Sequence, residues 1–364
     1  MSLFLAVVAP FIPNDPGYPV NEPILASMNM GEAWSLTQGD PSIVIAVIDS
    51  GVVPDPDLQF VPGHNVLNGS SNTPDQNGHG TAMAAIAAAA IDNGIGVAGI
   101  CGKCRIMPIK ISGADDRHVN ADLATAINWA VDHGADIINL SRFMDPGLPP
   151  YAPLNAAISN AIAHGVPVFI CAGNNGTNDP KANVLASSNP RAVRVGNFTT
   201  ESNHGPWVDV AAESAFVTFG PRPSPGGTSS STAAVSGIAG LMLSCNPALT
   251  PAEIKQILIS TSTPRKVDVR AKGEVDAYHA VLKAGCRLNP PSIVRLVVRT
   301  RGGGTVSRRP DDDTFNAGTI VVLRAKAKPH WRFARWEGLC HAKRALCRVR
   351  LNHSGVTTAV FKRT

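Results

Sequence analysis

The sequence predicts an α/β fold, a parallel sheet with helices on both faces, followed by a small all-β domain at the carboxyl-terminal end. Three observations carry this. Between Ser42 and Cys171, short continuous apolar runs alternate with longer helix-period segments, the pattern of strand–helix units in a parallel sheet. Beyond residue 291 the period changes to two, with charged residues alternating along the chain, as in small sheets with two unlike faces. The charge divides at the same place: residues 291–364 hold 16 Lys+Arg against 4 Asp+Glu, and the rest holds 16 against 23. A net charge of +5 therefore conceals a basic tail of +12 on an acidic body of −7.

Taken in order, residues 1–20 are Pro-rich and expected to be extended. The body spans 21–285. Ser42 to Ile48 is a β-branched run, the mark of a strand buried on both faces, and it ends in Asp49-Ser50-Gly51. A loop rich in Pro, Asp, Asn and Gly follows, through Gly78. Thr81–Ile91 is Ala-rich and helical; Ile106–Ile111 is a strand; Ala121–Val131 is a helix closed by His133-Gly134. Asp136–Leu140 and Val166–Cys171 are strands, separated by a helix over Leu154–Ala163. The run Gly227 to Gly237, dense in small hydroxyl residues, passes into the apolar Ile238–Leu243 and predicts a buried helix. Thr250 before Pro251-Ala252-Glu253 is a helix cap. Residues 286–292 form a linker to the basic β domain at 293–364, where Gly302-Gly303-Gly304 and Asn316-Ala317-Gly318 supply turns.

No apolar run reaches the roughly 18–20 residues that span a bilayer. Leu3–Val8 is apolar like a signal core, but no positive residue precedes it and prolines follow at once, so a signal peptide is not expected. The seven cysteines form no metal-ligand pattern, and Cys101-x-x-Cys104 lacks the second pair that zinc needs. Cys340 and Cys347 suit a local staple, Cys245 and Cys286 are a possible pair, and Cys171 is expected to be unpaired.

In parallel sheets ligands gather at the carboxyl ends of the strands. Asp49, Ser141 and Asn174 fall just past such ends, while His79 and Ser229 open helices. Acyl transfer by a serine needs a base, a group that orients the base, and donors for the oxyanion. Asp49, His79, Asn174 and Ser229 supply these, and Asp-His-Ser is a known chain order for such a triad.

The segments Val47-Ile48-Asp49-Ser50-Gly51, Gly78-His79-Gly80-Thr81, Ala172-Gly173-Asn174 and Gly227-Thr228-Ser229 together resemble the subtilisin-like (S8-type) serine peptidases over roughly residues 12–284. The resemblance implies a subtilisin-like catalytic domain in which Ser229 attacks the scissile carbonyl and His79 carries the proton. Asp49 would orient His79, and Asn174 would donate to the oxyanion beside the Ser229 N–H. It further implies that Ser141, Arg142 and Phe143 on one side, Gly113 and His118 on the other, and Gly173 line the substrate cleft. Arg142 or Arg117 would favour acidic substrate side chains, unless both point to solvent. The text departs from the family at Ser141-Arg142-Phe143 (usually Ser-Leu-Gly), at Ala82, and at Ser230 and Ala233, where Met and Pro are usual.

Asn93-Gly94-Ile95-Gly96-Val97 resembles the family's calcium loop. Asn93, Ile95 and Val97, with Asp57, would then be oxygen ligands of a structural Ca²⁺. The tail resembles an InlB B-repeat-like bacterial repeat domain, through Gly304-Thr305-Val306, Ala317-Gly318-Thr319, Phe333-Ala334-Arg335-Trp336 and Ala359-Val360-Phe361. The expectation is a secreted, cell-surface or periplasmic, monomeric serine endopeptidase acting on protein or peptide. Its basic domain would meet an anionic cell envelope or polysaccharide. Two rivals are a peptide ligase, suggested by Ala233, and a binding protein acting through its tail.

Overall fold

A computed structural model describes residues 9–115, 120–142, 150–223, 225–287, 293–316, 319–340, 342, 344–351 and 354–364. The chain divides into two compact units, Met1–Met242 with Leu249–Cys286, and Leu243–Ala248 with Arg287–Thr364.

The first unit opens with α1 (Tyr18–Ser27) and α2 (Met30–Leu36). Helix α1 begins inside the stretch expected to be extended. Its first proline lies at the helix start, where a missing N–H breaks no helical bond, so proline density there does not mean extended chain.

The strands are β1 (Val44–Asp49), β2 (His64–Asn65), β3 (Arg105–Lys110), β4 (Ile137–Leu140), β5 (Val168–Cys171), β6 (Val193–Gly196), β7 (Val210–Ala211), β8 (Thr263–Pro264) and β9 (Gly273–Glu274). They form one sheet in the order β2-β3-β1-β4-β5-β6-β7-β9-β8, parallel throughout except at its β8–β9 edge. The β-branched run predicted a doubly covered strand, and every residue of β1 is buried. Each large apolar side chain so buried contributes roughly 1.5–3 kcal/mol.

Among the described residues seven further helices follow: α3 (His79–Ala88), α4 (Asn120–Asp132), α5 (Ala152–Ala163), α6 (Val184–Ser187), α7 (Gly227–Cys245), α8 (Pro251–Thr261) and α9 (Ala277–Ala284). On one side Leu123 and Ile127 of α4 and Leu154 and Ile158 of α5 share a core with Ile48, Ile109, Leu140 and Ile170 of the sheet. Helix α3 is buried over its whole length, His79 to Ala88, which explains its alanines: no face needs polar residues, and small ones allow close approach. Helix α7 buries a run of hydroxyls by turning them on its own carbonyls, Ser230 to Gly226, Thr232 to Thr228 and Ser236 to Thr232. Thr250 caps α8 in a reciprocal capping box with Glu253.

Cys101 and Cys104 form a disulfide, as do Cys340 and Cys347. Cys245 and Cys286 are each disulfide-bonded, and Cys171 is free and buried.

The second unit holds β10 (Ile293–Arg301), β11 (Gly304–Arg309), β12 (Thr314–Asn316), β13 (Ile320–Ala327), β14 (Trp331–Gly338), β15 (Leu346–Arg350) and β16 (Gly355–Arg363). They make two sheets, β12-β10-β16-β14 and β11-β13-β15. Leu296, Phe315, Leu323, Trp336, Leu351 and Phe361 fill the core between them. Alternation in the sequence becomes alternation of burial, as along β15.

Candidate active site

Three strand ends and two helix starts build the site, and each junction has a local cause. Strand β1 delivers Asp49 at its carboxyl end, fully buried. The chain then turns at Gly51, whose φ of +106° suits glycine. Helix α3 begins against this turn. A Cβ on Gly80 would run into the Gly51 carbonyl and the Asp49 side chain, so only glycine lets His79 come this close. Asp75 pins the two pieces together. Its Oδ1 accepts from Ser50 Oγ (2.8 Å) and Gly78 N (2.7 Å), and its Oδ2 from Thr81 N (2.9 Å) and Thr81 Oγ1 (2.7 Å).

His79 Nδ1 lies 2.9 Å from both oxygens of Asp49. That bond fixes the ring and leaves Nε2 as the atom able to take a proton, the arrangement of an oriented general base. Asp49 Oδ1 also accepts from Ser50 N at 2.7 Å and from the Arg142 guanidinium at 2.5 Å. Burial opposes ionisation of Asp49, but Arg142 and His79 outweigh it and hold the carboxyl well below the usual carboxylate range.

Ser229 sits in the first turn of α7 and is nearly buried. Its Oγ donates to the Ser141 carbonyl at 3.3 Å, and Ser141 Oγ donates back to the Ser229 carbonyl at 2.9 Å. The described hydrogen bonds hold none between Ser229 and His79. Hydroxyl–base bonds commonly tighten only when substrate binds.

Asn174 follows β5. Its Oδ1 accepts from Thr228 N (2.9 Å) and Thr228 Oγ1 (3.0 Å). A backbone N–H can only donate, so the atom facing it must be the oxygen, and Nδ2 is the end left to donate to a ligand. Thr228 in turn accepts from Gly173 N at 3.1 Å. Gly173 has a φ of +98°, and a Cβ there would press on Asn203 Nδ2.

The structure thus brings Asp49, His79, Ser141, Asn174 and Ser229 to one edge, with Gly173 beside them. Gly113 stands past β3, where, among the described residues, an added Cβ would meet the Asp115 side chain. Phe143, His118 and Arg117 lie outside the described residues. Arg142 departs from both readings of the sequence. It is neither a solvent-facing residue nor an open substrate contact, but 4% exposed and paired with Asp49. The fully buried, ionised carboxylate is the reason: the chain offers it a fixed cation where water cannot reach.

Sequence reasoning passed over Asp75, Thr228, Ser112 and Lys110. Lys110 Nζ donates to Ser50 O (2.5 Å), Gln76 Oε1 (2.9 Å) and Ser112 O (2.7 Å), and burial lowers its pKa. A lone lysine ending an apolar strand was the available signal.

Away from this edge, the calcium candidates meet in one loop. Asp57 accepts from Asn93 Nδ2 (2.7 Å) and Val97 N (3.0 Å), while Asn93 Oδ1 accepts from Ile95 N (3.0 Å). Asp15 faces the same loop, accepting from Asp92 N and Asn93 N. Burial first, with Asp15 and Asp55 adding to it, pushes the Asp57 carboxyl up to about 6.

Comparison with known proteins identifies a family and a fold. Residues 40–281 match the model of the subtilase family. Subtilisin BL of Lederbergia lenta is 32% identical over 61% of this chain and 83% of its own length. Thermitase of Thermoactinomyces vulgaris is 30% identical over 74% of this chain and 99% of its own. Among solved structures, a protease from Pseudoalteromonas arctica superposes with a TM-score of 0.67 at 26% identity, covering 75% of this chain and 99% of that one. With its strand order and its Asp, His and Ser brought to one sheet edge, the chain belongs to the subtilase family, the subtilisin-like serine peptidases.

Proposed function

We propose that this protein is a serine endopeptidase that hydrolyses peptide bonds through an acyl-enzyme. The observation that carries the reading is the bond from His79 Nδ1 to the buried, ionised Asp49, at the sheet edge that also holds Ser229 and Asn174. In this reading Ser229 Oγ attacks the scissile carbonyl carbon and its proton passes to His79 Nε2. The C–N bond then breaks as His79 returns the proton to the leaving amine, and water repeats the sequence to free the acid. Asn174 Nδ2 and the Ser229 N–H carry the oxyanion. Such donors aim at charge that exists fully only in the transition state, which is why they accelerate the reaction.

A structural Ca²⁺ fits the loop around Asp57. The donors are hard oxygens, and the raised Asp57 carboxyl beside Asp15 and Asp55 is an accumulation of negative charge that a cation would relieve. Asp57 and Asn93 would hold it through side-chain oxygens, Ile95 and Val97 through carbonyls; Asn93 would turn its amide to do so. The ion would supply stability, and no chemical step depends on it. The basic domain, with its excess of Lys and Arg, is read as an attachment to an anionic envelope or polysaccharide, and the whole as secreted, in keeping with its relatives.

The deciding experiment is labelling with a fluorophosphonate beside Ser229→Ala, with and without Ca²⁺. Labelling that disappears in the variant is expected. Folded wild-type protein that takes no label under either condition removes the reading.

A further inference from the structure

The charged groups around Asp49 include one that an Asp-His-Ser arrangement does not require. Arg142, directly past β4, donates to Asp49 Oδ1 at 2.5 Å and to Ser112 Oγ at 3.3 Å. It is 4% exposed. Its backbone is held too: Cys171 Sγ, at the end of β5, donates to the Arg142 carbonyl at 3.2 Å. The Asp49 oxygen it contacts is one that His79 Nδ1 also contacts.

Among the described residues, other groups approach this carboxylate from several elements. His79 comes from α3, Ser50 from the turn after β1, Lys110 and Ser112 from the end of β3, and Asp75 from the loop before α3. Lys110 interacts electrostatically with Asp49, Asp75 and Arg142. Cys171 from β5 is a neutral neighbour, its thiol pushed up to about 12 by burial. Among these groups Arg142 is the permanent cation in direct contact with Asp49, since guanidinium does not titrate in the working range.

We propose that Arg142 is a positioning residue of the triad: its guanidinium keeps the buried Asp49 ionised and fixed, so that Asp49 can orient His79 across a wide pH range. Without a cation, a carboxylate at 0% exposure tends to take up a proton, because burial disfavours its charge. A protonated Asp49 neither holds the histidine tautomer nor offsets the imidazolium that forms as Ser229 attacks. Arg142 thus acts on the reaction through Asp49, not through substrate. The inference rests on the endopeptidase reading above.

The test compares wild type, Arg142→Met and Arg142→Lys in kcat/KM against pH. The low-field Nδ1 proton of His79 is followed by NMR in the same three proteins. Loss of a contacting charge is expected to move the acid limb of Arg142→Met to higher pH by about one unit, while Arg142→Lys stays near wild type. The preference between substrates with Asp and with Leu at the same subsite should stay within about twofold, because Arg142 is only 4% exposed and engaged by Asp49. An unmoved acid limb in folded Arg142→Met overturns the proposal, as does a change of preference beyond about tenfold, which would make Arg142 a substrate contact.

Should Arg142→Met fail to fold, Arg142→Gln, which keeps a donor and removes the charge, takes its place: an acid limb moved to higher pH by about one unit supports the proposal, and an unmoved one overturns it. If the protein proves to hydrolyse nothing, the endopeptidase reading fails by itself. The Nδ1 proton still reports on Arg142: a resonance displaced in Arg142→Met but not in Arg142→Lys supports the proposal, and an identical one in all three overturns it.

Discussion

Asn174 shows how one side chain acquires a direction. Two donations from Thr228 engage its oxygen, so the amide nitrogen points its charge elsewhere. Replacing Asn174 by Ala removes that donor and leaves the backbone intact. Turnover should fall by about 100- to 1000-fold, with KM and the melting temperature little changed. Steady-state kinetics on a peptide substrate beside a thermal melt checks both halves. A loss of kcat below about threefold would mean that Nδ2 does not meet the oxyanion. The sequence located Asn174 because it ends an apolar strand, but not Thr228 as its holder, since a threonine before a serine reads equally well as part of a cap. Arg142 shows the opposite limit. One-dimensional text cannot say whether an arginine after a strand points out or in.

Among elements, the junction of β6, β7 and α8 is held by buried charge. Arg194 of β6 donates to both oxygens of Asp209 (2.8 and 2.9 Å), and Lys255 of α8 reaches Asp209 at 2.7 Å. Asp209 is fully buried. Burial alone would raise its pKa, but Arg194 and Lys255 prevail and lower it from the ordinary 3.8. A carboxyl lowered by folding contributes stability that is fully present above 3.8 and is lost as pH falls through the lower folded-state value. Acid melts should therefore show a stability loss beginning near pH 4 that is shallower in Asp209→Asn. At pH 7 that variant should be less stable by about 3–5 kcal/mol, since the buried Arg194 and the part-buried Lys255 lose their shared carboxylate. Equal acid slopes in both proteins would refute the assignment. Strands β6 and β7 went unread, whereas β1, β3, β4 and β5 and helices α3, α4 and α5 were legible from periodicity, with ends shifted by at most three residues. This triangle was not, because its members lie 15 and 46 positions apart.

At the scale of the molecule, charge separates the chain into an acidic catalytic body and a basic β unit. Attraction of such a unit to a polyanion is electrostatic and weakens with salt, because screening shortens its range to about 8 Å at physiological ionic strength. A chain ending at Cys286 should keep fluorophosphonate labelling at Ser229 and lose retention on a sulfated polysaccharide column at low salt. Retention equal to that of the full chain would place any polyanion affinity in the body.

The sequence by itself determined the layer architecture, the change of class near residue 291, and the placement of Asp49, His79, Asn174 and Ser229 at strand and helix ends. Those follow from local rules, burial period and backbone punctuation, which are written along the chain. Only the tertiary structure decided that Arg142 pairs with Asp49, that Asp75 joins β1 to α3, and that Cys101 bonds Cys104. It also started α1 at Tyr18, before the proline-rich stretch ends. Each of these depends on which groups share a water-free space, and a buried charge takes its partner from whatever part of the chain the fold brings there.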